Sequence, residues 1–149
     1  MLYLVLSIVI LFLVILITSF ITRFTLVRVD GESMSPTYKN GQFLIVDRYV
    51  SPKYHVDFGD KVGKGKVLVY FNPRGHAVIK RLHDAIEISE GEYVYWFEGD
   101  NKLNSIDSRE YGYIQQSAIV GEVINFSTFL KRTFSTRGEL KEEIINDRN

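Results

Sequence analysis

Residues 66–82 read KVLVYFNPRGHAVIKRL, two apolar-rich runs around the segment Asn72-Pro73-Arg74-Gly75. Lys66 to Phe71 and His76 to Leu82 have the length and β-branched content of strands, and the residues between them favour a turn. The pattern predicts an antiparallel hairpin closed by those four turn residues. In a strand, side chains alternate between faces, so Lys80 shares a face with Val78 and Leu82, while Arg81 points the other way with Ala77 and Ile79.

The same scheme extends outward. Towards the C-terminus, AIEIS and EYVYWFEG flank Glu90-Gly91, and GYIQQSAIVGEVINF reads as one or two further strands. Towards the N-terminus, Phe43 to Val50 is a strong strand and Phe24 to Val29 a first one. Between them lies GESMSPTYKNG, a loop or turn rich in Gly, Ser and Pro. A polar connection, SPKYHVDFGDKVGKG, joins residue 50 to the hairpin. Short strands separated by turn signals, without a strong amphipathic helix, make the body mainly β.

Leu2 to Ile21 is a different material: LYLVLSIVILFLVILITSFI, an uncharged run long enough to cross a hydrocarbon core as a helix. A cleavable secretory leader fits poorly, because no basic n-region precedes the run and no small-x-small site follows it cleanly. A buried core helix would need a far larger domain around it. The fold class expected is therefore mainly β, with a single N-terminal transmembrane helix followed by a compact antiparallel β domain. The expected division is 1–22 anchor, 23–126 β domain and 127–149 charged tail. Within the tail GELKEEII reads either as a short helix or as part of a solvated, partly frayed terminus. Arg23 and Arg28 follow the helix, and positive-inside counting on its own would put the body in the cytoplasm.

Composition excludes several classes. The chain has 149 residues, with 18 basic and 18 acidic side chains, so no global field points to nucleic acid. It has no cysteine, which rules out disulfides, thiolate metal sites and cysteine catalysis. The three histidines, His55, His76 and His83, form no ligand-spaced pair, and neither a metal nor a cofactor is expected.

Three segments could carry chemistry. Gly31-Glu32-Ser33-Met34-Ser35-Pro36-Thr37 presents small hydroxyls shortly after the membrane helix, as a nucleophile turn or as an ordinary loop. Lys80 stands in an apolar row. Burial would disfavour its charged form and let it accept a proton; the alternative is that it snorkels outward at a sheet edge. GDNKLNSIDSREYG, from Gly99 to Gly112, is dense in side chains that bond their own backbone and contains Asp107 and Arg109 as a candidate buried pair.

Together these segments resemble the signature boxes of bacterial type I signal peptidases. SMSPT matches that family's Ser-Met-x-Pro-Thr box, VIKRL its lysine box, and GDNKLNSIDSREYG its Gly-Asp-Asn and Asn-Ser-x-Asp-Ser-Arg-x-x-Gly box. The order, anchor first, is also the family's, and the likeness runs from about Val29 to Val123. The resemblance implies a serine endopeptidase that removes N-terminal signal peptides from exported preproteins with a Ser–Lys dyad. Ser33 would be the nucleophile and Lys80 its general base. Ser105 would hydrogen-bond the lysine nitrogen, while Asp107, Arg109 and Asp100 brace that loop. The Ser33 N–H would be one oxyanion donor. Gly31 stands where some relatives carry a donating serine, so a second donor would be backbone or absent. Met34 and the 43–50 strand are candidate walls for shallow pockets. Expected partners are preproteins with signal peptides, the lipid bilayer and, as a candidate, the secretion machinery, with no nucleic acid. The expected location is the bacterial cytoplasmic (inner) membrane, single-pass, with the catalytic domain on the exoplasmic face, against the charge count.

Two departures stand out. The family's lysine box usually continues into a Gly-Leu-Pro-Gly-Asp turn, whereas here Lys80-Arg81 runs into LHDAIEISEG. The large β insertion of some Gram-negative relatives is absent, which implies a narrower or specialised substrate range. Three other identities compete. A pilin-type maturation peptidase would share the chemistry. Self-cleaving repressors share the Ser and Lys segments but carry a DNA-binding head and no anchor. A non-catalytic membrane-anchored β module that binds peptides by strand addition would need neither Ser33 nor Lys80. The reticulum-type enzyme would have histidine at the Lys80 position.

Overall fold

The computed structural model describes residues 1–48 and 65–134. Helix α1 spans Leu2–Arg23 and buries no residue against the rest of the protein. A hydrocarbon environment tolerates such a helix because every backbone group is paired within it. Its polar side chains follow suit. Ser7 donates to the Leu4 carbonyl, and Thr18 and Thr22 donate to carbonyls one turn back. At 1.5 Å per residue its 22 residues reach about 33 Å, enough to span the bilayer core.

α1 runs into strand β1 (Phe24–Arg28) without a linker. The other strands are β2 (Phe43–Asp47), β3 (Val67–Phe71), β4 (Ala77–Ser89), β5 (Glu92–Glu98), β6 (Ile114–Gln115) and β7 (Ile119–Ile124). They form one antiparallel seven-stranded sheet in the order β1-β2-β7-β3-β4-β5-β6. The mainly β domain behind one apolar helix is thus the architecture expected from the sequence.

β3 explains how so short a chain holds a core. Alternate residues feed two clusters: Val67 and Val69 pack with Val29, Met34, Leu44, Val46 and Val123, while Leu68 and Tyr70 pack with Leu82, Tyr95, Phe97, Ile114 and Ile119. The curled sheet is therefore covered on both faces of its central strand, and β3 reads as a continuous apolar run for that reason. The predicted hairpin is present, pairing Val67 with Arg81 through Phe71 with Ala77. The Asn72 side chain closes its turn by accepting from the N–H groups of Arg74 and His76.

Two local expectations change. HAVIKRL and AIEIS, read as separate strands, are one strand, β4, whose register against β5 shifts between Leu82 and Asp84 and again near its end. The bulge absorbs the out-of-phase residue and the strand continues without a turn. The region read as a frayed tail begins with helix α3, Phe126–Phe134. Asn125 caps it by accepting from the Thr128 N–H at 2.7 Å, and apolar residues recur at helical spacing. The sequence-predicted strand end at Tyr49-Val50, most of the polar connection and the GELKEEII helix lie outside the described residues.

Phe97 is fully buried, with its ring stacked on Tyr70 at a centroid distance of 4.4 Å. Phe97→Ala should cost about 3–5 kcal/mol in chemical unfolding of the detergent-solubilised protein, whereas Phe71→Ser, on a half-exposed ring, should shift stability by less than about 0.5 kcal/mol.

Candidate active site

The loop between β1 and β2, residues 29–42, carries Ser33. Its base is closed by Val29 and Gly41: the Val29 N–H donates to the Gln42 carbonyl at 2.8 Å and the Gly41 N–H to the Val29 carbonyl at 2.9 Å. Met34 is the peg. It is 1 % exposed and packs among Val29, Leu44 and Val46. Turning Met34 inward leaves its neighbour Ser33 half-buried and facing the sheet. Gly31 adopts φ +90°, a conformation that side chains resist, although a Cβ there would meet open space. Its N–H donates to Asn40 Oδ1 at 3.2 Å.

β4 brings up the second group. Lys80 pairs across from Leu68, shares its face with Val78 and Leu82, and is only 4 % exposed. Its Nζ donates to Ser33 Oγ at 2.6 Å. No carboxylate forms an ion pair with it among the described residues. Burial lowers the lysine's pKa, the Asp107 carboxylate partly opposes this, and the Arg109 guanidinium adds to it.

The third segment joins the first two. Asp107 is completely buried and accepts five hydrogen bonds: from the Gly99 N–H (2.8 Å), Ser105 Oγ (2.6 Å), the Arg109 N–H (3.2 Å), Arg109 Nε (2.9 Å) and Arg109 Nη2 (2.8 Å). Burial alone would raise its pKa. The donors from Arg109, Ser105 and Gly99 overcome that and hold the carboxyl well below the usual range. Asp107 also caps the short helix α2, Ser108–Tyr111, in a stretch read from sequence as loop. The Ser105 hydroxyl therefore donates to Asp107; no direct bond to Lys80 forms among the described residues.

Asp100 is held from the opposite face of β4. Arg81 grips it with two parallel bonds, Nε to Oδ1 at 2.7 Å and Nη2 to Oδ2 at 2.6 Å, and Thr37 Oγ1 donates to the same carboxylate. The Arg81 bonds, with the Thr37 bond in support, lower the Asp100 pKa against the effect of burial. Arg81 and Thr37 were given no role from sequence. The available signal was alternation, since the residue after a buried lysine on a strand must face the other way.

Gly99 is the closest junction. The N–H of Asn101 donates to the Ser33 carbonyl at 3.0 Å, which draws the two loops together. A Cβ at Gly99 would sit 2.2 Å from Ser105 Oγ and 2.6 Å from the Ser33 carbonyl oxygen. The motif quoted from sequence includes this glycine, but only the fold reveals why no side chain fits. The structure thus gathers Ser33, Lys80, Ser105, Asp100, Asp107 and Arg109 in one region. Met34 lies beneath it in the core and Gly31 lies on the same loop. Among the described residues no group of His, Asp and Glu side chains is positioned to hold a metal ion.

This combination, an apolar anchor helix and a curled β domain that brings together a loop hydroxyl, a strand amine and a braced carboxylate, fits a membrane-anchored hydrolase. Comparison with protein families gives the specific assignment: the model described as signal peptidase, peptidase S26 matches residues 1–84 and 83–127, and the chain belongs to that family. Membership supports signal-peptidase activity in general and implies a serine peptidase. No curated protein matches the chain.

Two outcomes follow from the brace. Asp107→Asn should lower stability at neutral pH by about 2–3 kcal/mol, because charged hydrogen bonds are lost in a buried site. With its folded pKa depressed, Asp107 contributes stability that is complete above the unfolded value near 3.9 and lost as pH falls below it. A pH series of thermal melts should therefore show an acid limb that Asp107→Asn flattens. Gly99→Ala should cost about 1–3 kcal/mol from overlap and reduce turnover at least tenfold, read from melts and from peptide cleavage in parallel.

Proposed function

We propose that the protein is a membrane-bound serine endopeptidase that removes N-terminal signal peptides from exported preproteins, with Ser33 as nucleophile and Lys80 as general base. The observation that carries this is the 2.6 Å contact between Lys80 Nζ and Ser33 Oγ, made by a lysine that is 4 % exposed. A surface lysine is almost wholly protonated at neutral pH and cannot take a proton. One whose pKa is lowered by burial can.

The reaction follows from that pair. Neutral Lys80 takes the Ser33 proton as Oγ bonds to the scissile carbonyl carbon. The resulting oxyanion is stabilised by the Ser33 N–H, which has no acceptor among the described residues. The C–N bond breaks, Lys80 returns the proton to the departing amine of the mature protein, and an ester to Ser33 remains. Water then attacks the ester, Lys80 takes its proton, and Ser33 regains a proton as the signal peptide leaves as an acid. Ser105 commits its own proton to Asp107, which leaves its oxygen able to accept a bond from the amine as the reaction proceeds. Asp107 and Arg109 keep that hydroxyl in place, and Asp100 with Arg81 and Thr37 locks the nucleophile loop against β4.

α1 supports the substrate assignment. A signal peptide's scissile bond lies just beyond its own apolar segment, and Ser33 lies on the first loop beyond α1. Confining both partners to the bilayer raises their effective concentration. The catalytic domain is then on the exoplasmic face of the cytoplasmic membrane, where exported proteins emerge. A C-terminal alkaline phosphatase fusion should be active if so, and inactive if the domain faces the cytoplasm.

Purified protein should cleave a preprotein bearing an A-x-A site. Ser33→Ala and Lys80→Ala should each lose at least about a thousandfold in kcat/KM, since nucleophile and base act as a unit. The rate should rise with pH through the ionisation of Lys80, with a midpoint below the ordinary lysine value of 10.5. The folded protein binds this proton less well than the unfolded chain, so burying Lys80 costs stability at neutral pH, and the cost fades as pH rises. Lys80→Met should therefore melt no lower than wild type while being inactive. A wild-type protein that folds but cuts no preprotein would sink the assignment.

A further inference from the structure

We infer that α3 is a second membrane contact: its apolar face lies in the interfacial layer of the leaflet that α1 leaves. Phe20 belongs to the last turns of α1, inside the segment that the bilayer must cover. The Phe129 ring packs edge-on against Phe20, with centroids 5.9 Å apart, and against Phe24 at 5.0 Å. A residue touching Phe20 is held at the depth of Phe20, so α3 sits where the span meets the headgroups. Phe126 stacks beside Phe129 at 5.9 Å and remains 65 % exposed, while Leu130, one turn along, is 39 % exposed.

Positions 126, 129, 130 and 133 fall on one side of the helix, and Ser127 and Thr128 fall outside that stripe. An exposed phenylalanine and leucine next to a spanning helix are costly in water and favourable at the acyl boundary. The occupant that fits is the lipid surface, because the stripe is continuous with the lipid-exposed wall of α1. The joint itself is stiff. Arg23, at the end of α1, bonds the buried Asp47 of β2 through Nε (3.3 Å) and Nη2 (3.2 Å) and lies over the Phe24 ring at 4.8 Å. α3 therefore cannot swing away from the bilayer without breaking the three-ring cluster.

The chain has no cysteine, so single labels are unambiguous. Phe126→Cys, Leu130→Cys and Ser127→Cys in the full chain would each carry an environment-sensitive fluorophore. The proteins would be reconstituted in phosphatidylcholine–phosphatidylglycerol vesicles, after confirming unchanged melting. The expected result is strong quenching of the 126 and 130 labels by nitroxide lipids with at least threefold protection from aqueous iodide, and the reverse at 127. Phe129→Ala should release the helix and raise iodide access at 126. Equal iodide access at 126, 127 and 130 would overturn the inference. So would efficient disulfide cross-linking of unlabelled Phe126→Cys between copies with no lipid quenching, which would make the stripe a self-association surface. None of these readouts depends on peptide cleavage, so the result stands apart from the proposed reaction.

Discussion

A single amine, taken out of water, sets the terms for the rest of the domain. An ammonium at 4 % exposure would need a counter-ion, and Lys80 has no ion pair among the described residues. Its neighbours are Leu68, Val78, Leu82 and the Ser33 hydroxyl. The Asp107 carboxylate, whose charge acts on Lys80, is spent on Arg109, Ser105 and two backbone N–H groups. That division of labour holds the carboxyl's pKa down while burial lowers the amine's. If Asp107 were free to pair with Lys80, it would oppose more strongly the lowering of the lysine's pKa by burial.

The same economy appears at the membrane junction. A helix whose backbone is fully paired within itself needs nothing from the domain, and a sheet buried on both faces of β3 needs nothing from the helix. What couples them is a short list: the unbroken passage from Arg23 to Phe24, the Arg23–Asp47 pair and three phenylalanine rings. The joint thus combines aromatic contacts with an ion pair whose carboxylate is buried.

Much of this is written locally in the sequence, and some of it is not. The hairpin at residues 66–82 was legible because turn residues and strand alternation agree there. Lys80 was legible as unusual because alternation put it in an apolar row. The continuity of β4 through His83 was not, since a bulge absorbs an out-of-phase residue without a turn signal. Arg81 and Thr37 depend on Asp100, 19 and 63 residues away, and the crowding at Gly99 depends partly on Ser33, 66 residues away, and no periodicity carries that information. The Asp107–Ser105 bond was foreseen only as a general bracing role. α3 was hidden by the charged residues that follow it, which made an amphipathic helix look like the start of a polar tail.

The alternation of β4 has a further consequence. Lys80 and Arg81 are adjacent, opposite in direction and equal in formal charge, yet only one of them can shed a proton in a protein. A slip of one residue in the pairing of β3 with β4 would leave the charge of the strand unchanged and exchange the two side chains. A guanidinium would then stand beside Ser33, permanently charged, while a lysine would face Asp100 without the fork that grips both oxygens. The two-pronged clasp of Arg81 on Asp100 thus favours the register in which Lys80 faces Ser33.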